Sequence, residues 1–261
     1  MQTKVEKGLF NALKQKADKL GISESIVTKT VGQVLQLSER VDLSKQMMQR
    51  IGICLIKDGG HILAPACPDY THSNGVYTFK GINGGVSLLA QLHIKFLQQV
   101  TAIIPDCKVT ILIADHEADD DALCQAISKD RVEFAKLIGQ SVEKTSLAVK
   151  EFGWSAQAMT TVIPDLVARE EYNMKLIRSS PQFEARIRTD TAARMKMYRQ
   201  INRNFTVPEM IERTIRTAAQ YLAMGEVAVE KQIIICNHST VNLCWYKEAG
   251  TAVLHNPVTV Y

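Results

Sequence analysis

Cys67 stands at the end of an apolar run. Residues 62–75 read ILAPACPDYTHSNG: ILAPA leads into Cys67, and Pro68, Asp69, Tyr70, Thr71, His72, Ser73 and Asn74 follow in seven positions. Apolar strands that run into a dense polar loop are where α/β proteins bind ligands. A thiol at such a place is a candidate nucleophile, because a small thiolate fraction exists near neutral pH and the thiolate is intrinsically reactive. The competing role is structural, since cysteine is among the most buried residue types and is then inert.

Three other stretches carry residue types with possible chemistry. Asp115 ends the apolar run KVTILIAD and opens the acidic segment ADHEADDD, residues 114–121. Such oxygen ligands hold a divalent cation only if they converge. Acids ahead of a helix also serve to stabilise its positive end, and no metal or redox cofactor is expected. A helix is predicted at 207–228, opened by the capping box Thr206-Val-Pro-Glu209. Ile211, Ile215, Ala218, Leu222 and Val229 fall on one stripe of it. Glu226 falls beside that stripe, where a carboxylate is costly unless it is paired or lines a site. Alternatively, Gly225 ends the helix and Glu226 sits in a solvated loop. Residues 182–204, QFEARIRTDTAARMKMYRQINRN, hold six basic and two acidic side chains, a net +4 that equals the excess of the whole chain. Arg188, Lys196, Arg199 and Arg203 line up on one side of the predicted helix, a stripe suited to phosphate contact or simply to water.

These residues need elements to position them. Residues 4–20 predict an amphipathic helix with Val5, Leu9, Leu13 and Leu20 on one side, and helices follow at 24–37 and 43–50. The first fifty residues therefore read as an N-terminal helical extension, and 51–261 as the main domain. ICLI and HILAPA flank the turn KDGG and predict strands. A helix is expected over 85–100, a buried parallel strand over 108–115, a helix over 130–151 and a short strand over 159–166. After the helices at 182–204 and 207–228, QIIIC, VNLCWY and TAVLHN predict three closing strands. The alternation implies an α/β fold with a mostly parallel sheet flanked by helices.

Composition sets the surroundings. With 46% hydrophobic residues a chain of 261 can bury a sizeable core. Its six cysteines form no C-x-x-C pair, which points to a reducing compartment and a cytoplasmic location. No apolar run reaches the roughly 18 residues of a membrane span, and the charged start MQTKVEKGLFNALKQKADKL does not read as a signal peptide.

The C-terminal half resembles the tRNA-dependent cyclodipeptide synthases. KVTILIAD looks like that family's central strand, SSPQFEARIRTDTAARMKMY like its "D-P-x-F … T" helix, and AAQYLAMGEVAVEKQIIICNHSTVNLCWYKE like its helix with Tyr and Glu followed by a strand ending in Tyr. The resemblance covers residues 60–250 or so and implies a Rossmann-like fold. It also implies transfer of aminoacyl groups from charged tRNA, through a covalent acyl-enzyme, to an amide or cyclic dipeptide product. Pro65-Ala66-Cys67-Pro68 matches the family's Gly-x-Ser-Pro, so Cys67 would take the nucleophile's place, with Pro65 where the family has glycine. Glu226 and Tyr246, twenty positions apart as in the family, would handle the amine and orient the aminoacyl group, and Tyr221 would assist from one residue out of register. Asp69, Tyr70, Ser73, Asn74 and Asp115 are the expected substrate contacts, and Arg188, Lys196, Arg199 and Arg203 the expected tRNA contacts.

PACPDYTHSNG and IPDCKVTILIADHEADD also resemble the isocyanide synthases. Those enzymes convert the amine of a free amino acid to an isonitrile. In that reading Ser73 and Asn74 carry function and Cys67 fills an apolar position. A Rossmann-like binding protein without catalysis is the third possibility.

Overall fold

A computed structural model describes residues 60–68, 71–73, 76–78, 83–103, 106–116, 121, 124, 129–200, 205–238 and 240–256, together with Gln15 and Asp18. The helices expected at 24–37 and 43–50, most of that at 4–20, the ICLI strand, Asp69, Tyr70, Asn74 and Arg203 lie outside the described residues. Five parallel strands form the sheet: β1 (His61–Ala66), β4 (Lys108–Ile113), β5 (Ser155–Ala158), β6 (Ile234–Asn237) and β7 (Ala252–His255), in the order β5-β4-β1-β6-β7. A short antiparallel hairpin, β2 (Thr71–Ser73) with β3 (Val76–Thr78), stands in the loop after β1. Seven α-helices are described: α1 (Leu88–Ile103), α2 (Arg131–Val149), α3 (Met159–Val162), α4 (Leu166–Ser179), α5 (Glu184–Gln200), α6 (Val207–Glu230) and α7 (Thr240–Glu248).

The order follows from the hand of parallel crossovers. From β1 the chain steps to β4 and then β5 on one side, with α1 and α2 as crossovers; it then returns to β6 and β7 on the other side. Because parallel crossovers are right-handed, reversing direction moves the covering helices to the opposite face. The core divides accordingly. Ile62, Ala64, Ala66, Val109, Ile111 and Ile113 pack with Leu89, Phe96, Leu97, Phe134 and Ile138 of α1 and α2. Leu63 and Leu112, pointing the other way along the same strands, pack with Met159, Ala223, Met224, Val227 and Tyr246. A third cluster lies among the helices, where Ile177, Phe183, Ile187, Ile215, Ala219 and Leu222 surround Trp245. This is a Rossmann-like fold, as the alternation of apolar runs implies.

Two local expectations are corrected, and one helix was not expected. VNLCWY is helical, within α7, because burial of Asn242, Leu243, Trp245 and Tyr246 satisfies a helical spacing as well as a strand's. The segment 159–166 begins the helix α3, and the strand is the preceding SAQA, whose small and polar residues give little β signal. Helix α4 has no counterpart among the expected elements; its charged sequence LVAREEYNMKLIRS buries only Leu166, Glu170, Asn173 and Ile177 on its inner side.

Candidate functional site

Order reversal between β1 and β6 makes their C-terminal ends a topological switch point, where ligands bind in open α/β sheets. Cys67 follows β1 directly and is half-buried. The crevice beside it has a cause in sequence. β1 pairs with β4 along its whole length, His61 to Ala66, but with β6 only at Ile62 and Leu63. Pro65 has no N–H to continue the ladder, and proline is rare in a central strand for that reason. Its carbonyl is taken instead by His93 of α1, whose Nε2 lies 3.2 Å away. A carbonyl only accepts, so Nε2 carries the proton and Nδ1 is the acceptor. Nδ1 receives the Cys236 thiol at 3.4 Å and the Asn256 amide at 3.4 Å, and that amide also reaches the Leu92 carbonyl at 3.3 Å.

Two more histidines join this cluster. His238 follows β6 as Cys67 follows β1, and its ring meets His93 edge-on with centroids 5.6 Å apart. His255 ends β7. Burial first, and then His238 nearby, lower the His93 pKa to about 3, against a small opposing effect of the Pro65 carbonyl. Burial and His255 lower that of His238 to about 4. Both imidazoles are therefore uncharged near neutral pH. Burial raises the Cys236 thiol far above its usual range, so it serves as a donor to His93 and not as a nucleophile.

On the other face of the sheet Tyr246 is fully buried, with its hydroxyl 3.9 Å from the sulfur of Met224 and its ring edge-on to Tyr221 at 5.2 Å. Burial, then Tyr221, Cys67 and Cys236, hold its phenol well above the ordinary value, so it is a neutral hydroxyl. Tyr221 and Tyr246 are thus brought together, and Cys67 lies near enough to act on the Tyr246 phenol electrostatically. The strand expected to end in Tyr246 ends instead at Asn237, and Tyr246 lies one helix later.

Glu226 is not brought to Cys67. It lies five positions after Tyr221 on α6, which turns it about 140° away around the axis. Its carboxylate faces Arg169 of α4 at 3.6 Å. Arg169 also binds Glu230 through two nitrogens, at 2.9 and 3.0 Å, and Asp165 at 2.7 Å. Gly225 does not end the helix. It is buried within α6, where a Cβ would come 2.6 Å from both the Ala249 Cβ and the Thr251 Oγ1.

Asp115 follows β4 on the same edge of the sheet as Cys67. It accepts the Thr160 backbone N–H at 3.0 Å and the Thr160 hydroxyl, so it ties the end of β4 to α3. Beyond it, buried Glu170 accepts from Arg216 Nε at 2.6 Å and Gln220 Nε2 at 2.9 Å. Among the described residues no group of three or more His, Cys, Asp or Glu is placed to hold a metal ion. Ser73 lies in β2, with only its backbone described.

The basic helix is α5. Arg188 is exposed and paired with Glu184 on its own helix, Lys196 is exposed, and Arg199 is described in backbone only. Arg194 turns inward and reaches Asn242 at 3.2 Å. No helix among the described residues is long and apolar enough to cross a membrane. No family model matches the chain, and no curated protein matches it either.

His93, His238 and Asn256 are site residues that sequence reasoning misses. One signal does exist: QIIICNH resembles ILAPAC, an apolar run followed within two positions by a reactive side chain. His93 and Asn256 give none, because a histidine on a leucine-rich helix reads as an ordinary core residue.

Proposed function

We propose that the crevice at the end of β1 is an acyl-transfer site. Cys67 takes an aminoacyl group from charged tRNA as a thioester and passes it to an amine, giving an amide or cyclic dipeptide. The observation that carries the reading is the position of Cys67: a half-buried thiol at the topological switch point, near enough to buried Tyr246 to help raise its phenol, with Tyr246 edge-on to Tyr221. The two phenols supply hydroxyls to orient an aminoacyl group. The pairing of Glu226 with Arg169 leaves proton removal from the amine to solvent in this scheme. Exposed Arg188 and Lys196 on α5 offer phosphate contacts for tRNA.

The test is intact-mass spectrometry after incubation with bulk tRNA charged with amino acids and an acid quench. The expected result is a mass increase of one aminoacyl residue on the peptide containing Cys67, lost in Cys67→Ala and partly retained in Cys67→Ser. Full product formation by Cys67→Ala overturns the covalent scheme.

A second reading is an isocyanide synthase-like enzyme acting on a free amino acid. It is favoured by Asp115, an acidic group on the same edge of the sheet, held in place by Thr160. Small molecules made on expression in a bacterial host separate the readings. Cyclic dipeptides support the first and isonitriles the second, and an unchanged profile supports a binding protein without catalysis.

A further inference from the structure

Cys67 and His238 end the two strands that flank the switch point. β1 and β6 are parallel, with Leu63 opposite Ile235. Counting three residues along each strand puts His238 level with Ala66, one position before Cys67. Neighbouring strands lie about 4.8 Å apart, and the missing Pro65 N–H leaves the gap between these two unladdered at that level. Cys67 packs against the core cluster that contains Cys236, two positions before His238, so the thiol and the imidazole share this end of the sheet.

His93 and Cys236, the cluster's other groups nearest β1, are already engaged. His93 uses both ring nitrogens, and the Cys236 thiol is spent on His93. His255 lies one strand further from β1. The Nδ1 of His238 is buried and has no hydrogen-bond partner among the described residues. A buried polar atom left unpaired is costly, and such atoms are found where a ligand or reacting group completes them. The ring is also held in place, edge-on against a His93 that is itself fixed from α1 to β1 and to the residue after β7.

We propose that His238 is a further catalytic residue, whose imidazole N–H donates to the oxyanion that forms when the Cys67 sulfur attacks an acyl carbonyl. This rests on the acyl-transfer reading of the site. The thiol first loses its proton to solvent. Its sulfur forms a C–S bond at the carbonyl carbon, and the carbonyl π electrons move to oxygen. The Nδ1–H of His238 stabilises that oxygen until the C–O bond to the leaving alcohol breaks and the alcohol recovers a proton from water. A donor suits the environment better than a base, since burial and His255 keep this imidazole neutral, and neutral histidine acts as an electrophilic donor in other enzymes.

The experiment compares two reactions at Cys67 in the full chain. Acylation by p-nitrophenyl acetate develops an oxyanion; alkylation by iodoacetamide does not. Both are read by mass spectrometry on the Cys67 peptide. His238→Ala is expected to slow acylation about 100- to 1,000-fold, as for loss of one oxyanion donor, and to leave alkylation within about twofold. His238→Gln, which keeps an N–H donor and most of the volume, is expected to recover part of the acylation rate and to melt near the wild type. Equal slowing of both reactions makes His238 a base or a packing residue and overturns the proposal. So does unchanged acylation in either variant, or absence of Cys67 acylation in the wild type. Acylation by the ester but not by charged tRNA leaves His238 as donor and instead removes tRNA as the acyl source.

Discussion

His93 Nε2 donates to the carbonyl of Pro65 across 3.2 Å, so a helix side chain satisfies this acceptor beyond the point where the ladder between β1 and β6 ends. That bond ties the end of the central strand to α1 next to Cys67, where the strand no longer pairs with β6. Replacing His93 with Phe keeps a ring of similar size but leaves the Pro65 carbonyl and the Cys236 thiol without their partner. Loss of stability of about 1–3 kcal/mol is expected for a buried group so stranded. Urea unfolding measures it, and a variant as stable as the wild type would show that the cluster is replaceable by apolar packing.

Acid should unfold the protein partly through this cluster. His93 and His238 have folded pKa values of about 3 and about 4, both below the ordinary 6.5. As pH falls the unfolded chain takes up these protons first. The stability tied to the neutral rings is fully present above about 6.5 and is lost progressively as pH falls toward the folded values. Each histidine contributes at most one proton, or about 1.4 kcal/mol per pH unit. Between pH 6 and pH 5, two values chosen as roughly mid-window, His238→Gln should flatten the fall in unfolding free energy relative to wild type. An unchanged slope would mean that His238 already titrates normally when folded.

Gly225→Ala should destabilise the protein although alanine is the better helix former. The helix gains about 1 kcal/mol from propensity. Against that, the new methyl meets the Ala249 Cβ and Thr251 Oγ1 at 2.6 Å, and overpacking of this kind costs about 1–3 kcal/mol. A higher melting temperature in the variant would show that the turn after α7 yields easily.

Glu226→Gln is expected to leave turnover within about threefold of wild type, far short of the 100-fold or more typical of a positioned acid–base group. Its stability should change by under about 1 kcal/mol, the range for a partly exposed ion pair. Arg169→Met should cost more, because Arg169 also joins Asp165 and Glu230. A large fall in turnover for Glu226→Gln would return this carboxylate to the chemistry.

Reversing Arg188 and Lys196 to Glu should weaken tRNA binding. The slope of its salt dependence should fall by about one unit for each phosphate left without a cation. Both residues are exposed, so the fold should survive. Unchanged affinity in the double variant would take α5 out of any tRNA-binding surface.

Elements whose burial is continuous or strictly periodic were legible in the chain alone. HILAPA and KVTILI are apolar on both faces, and only a central parallel strand buries both, so β1 and β4 fall where expected. The capping box of α6 is local chemistry and is present as read, with Thr206 and Glu209 bonding reciprocally. The end of β1 at Cys67 was legible because an apolar run simply stops. Short segments were not legible, since nine residues such as those of α7 fit a helix and a strand equally until neighbours choose between them. Which residues meet depends on how the elements pack. Tyr221 and Glu226 share a helix, yet Tyr221 turns to Tyr246 while Glu226 turns to Arg169, fifty-seven positions earlier on α4. Pro65, His93, Cys236 and Asn256 come together from four separate segments. Periodicity records how deeply a side chain is buried, because burial depends on its own face of its own element. It carries no record of the partner across the gap, because that depends on strand order and on which face each crossover covers.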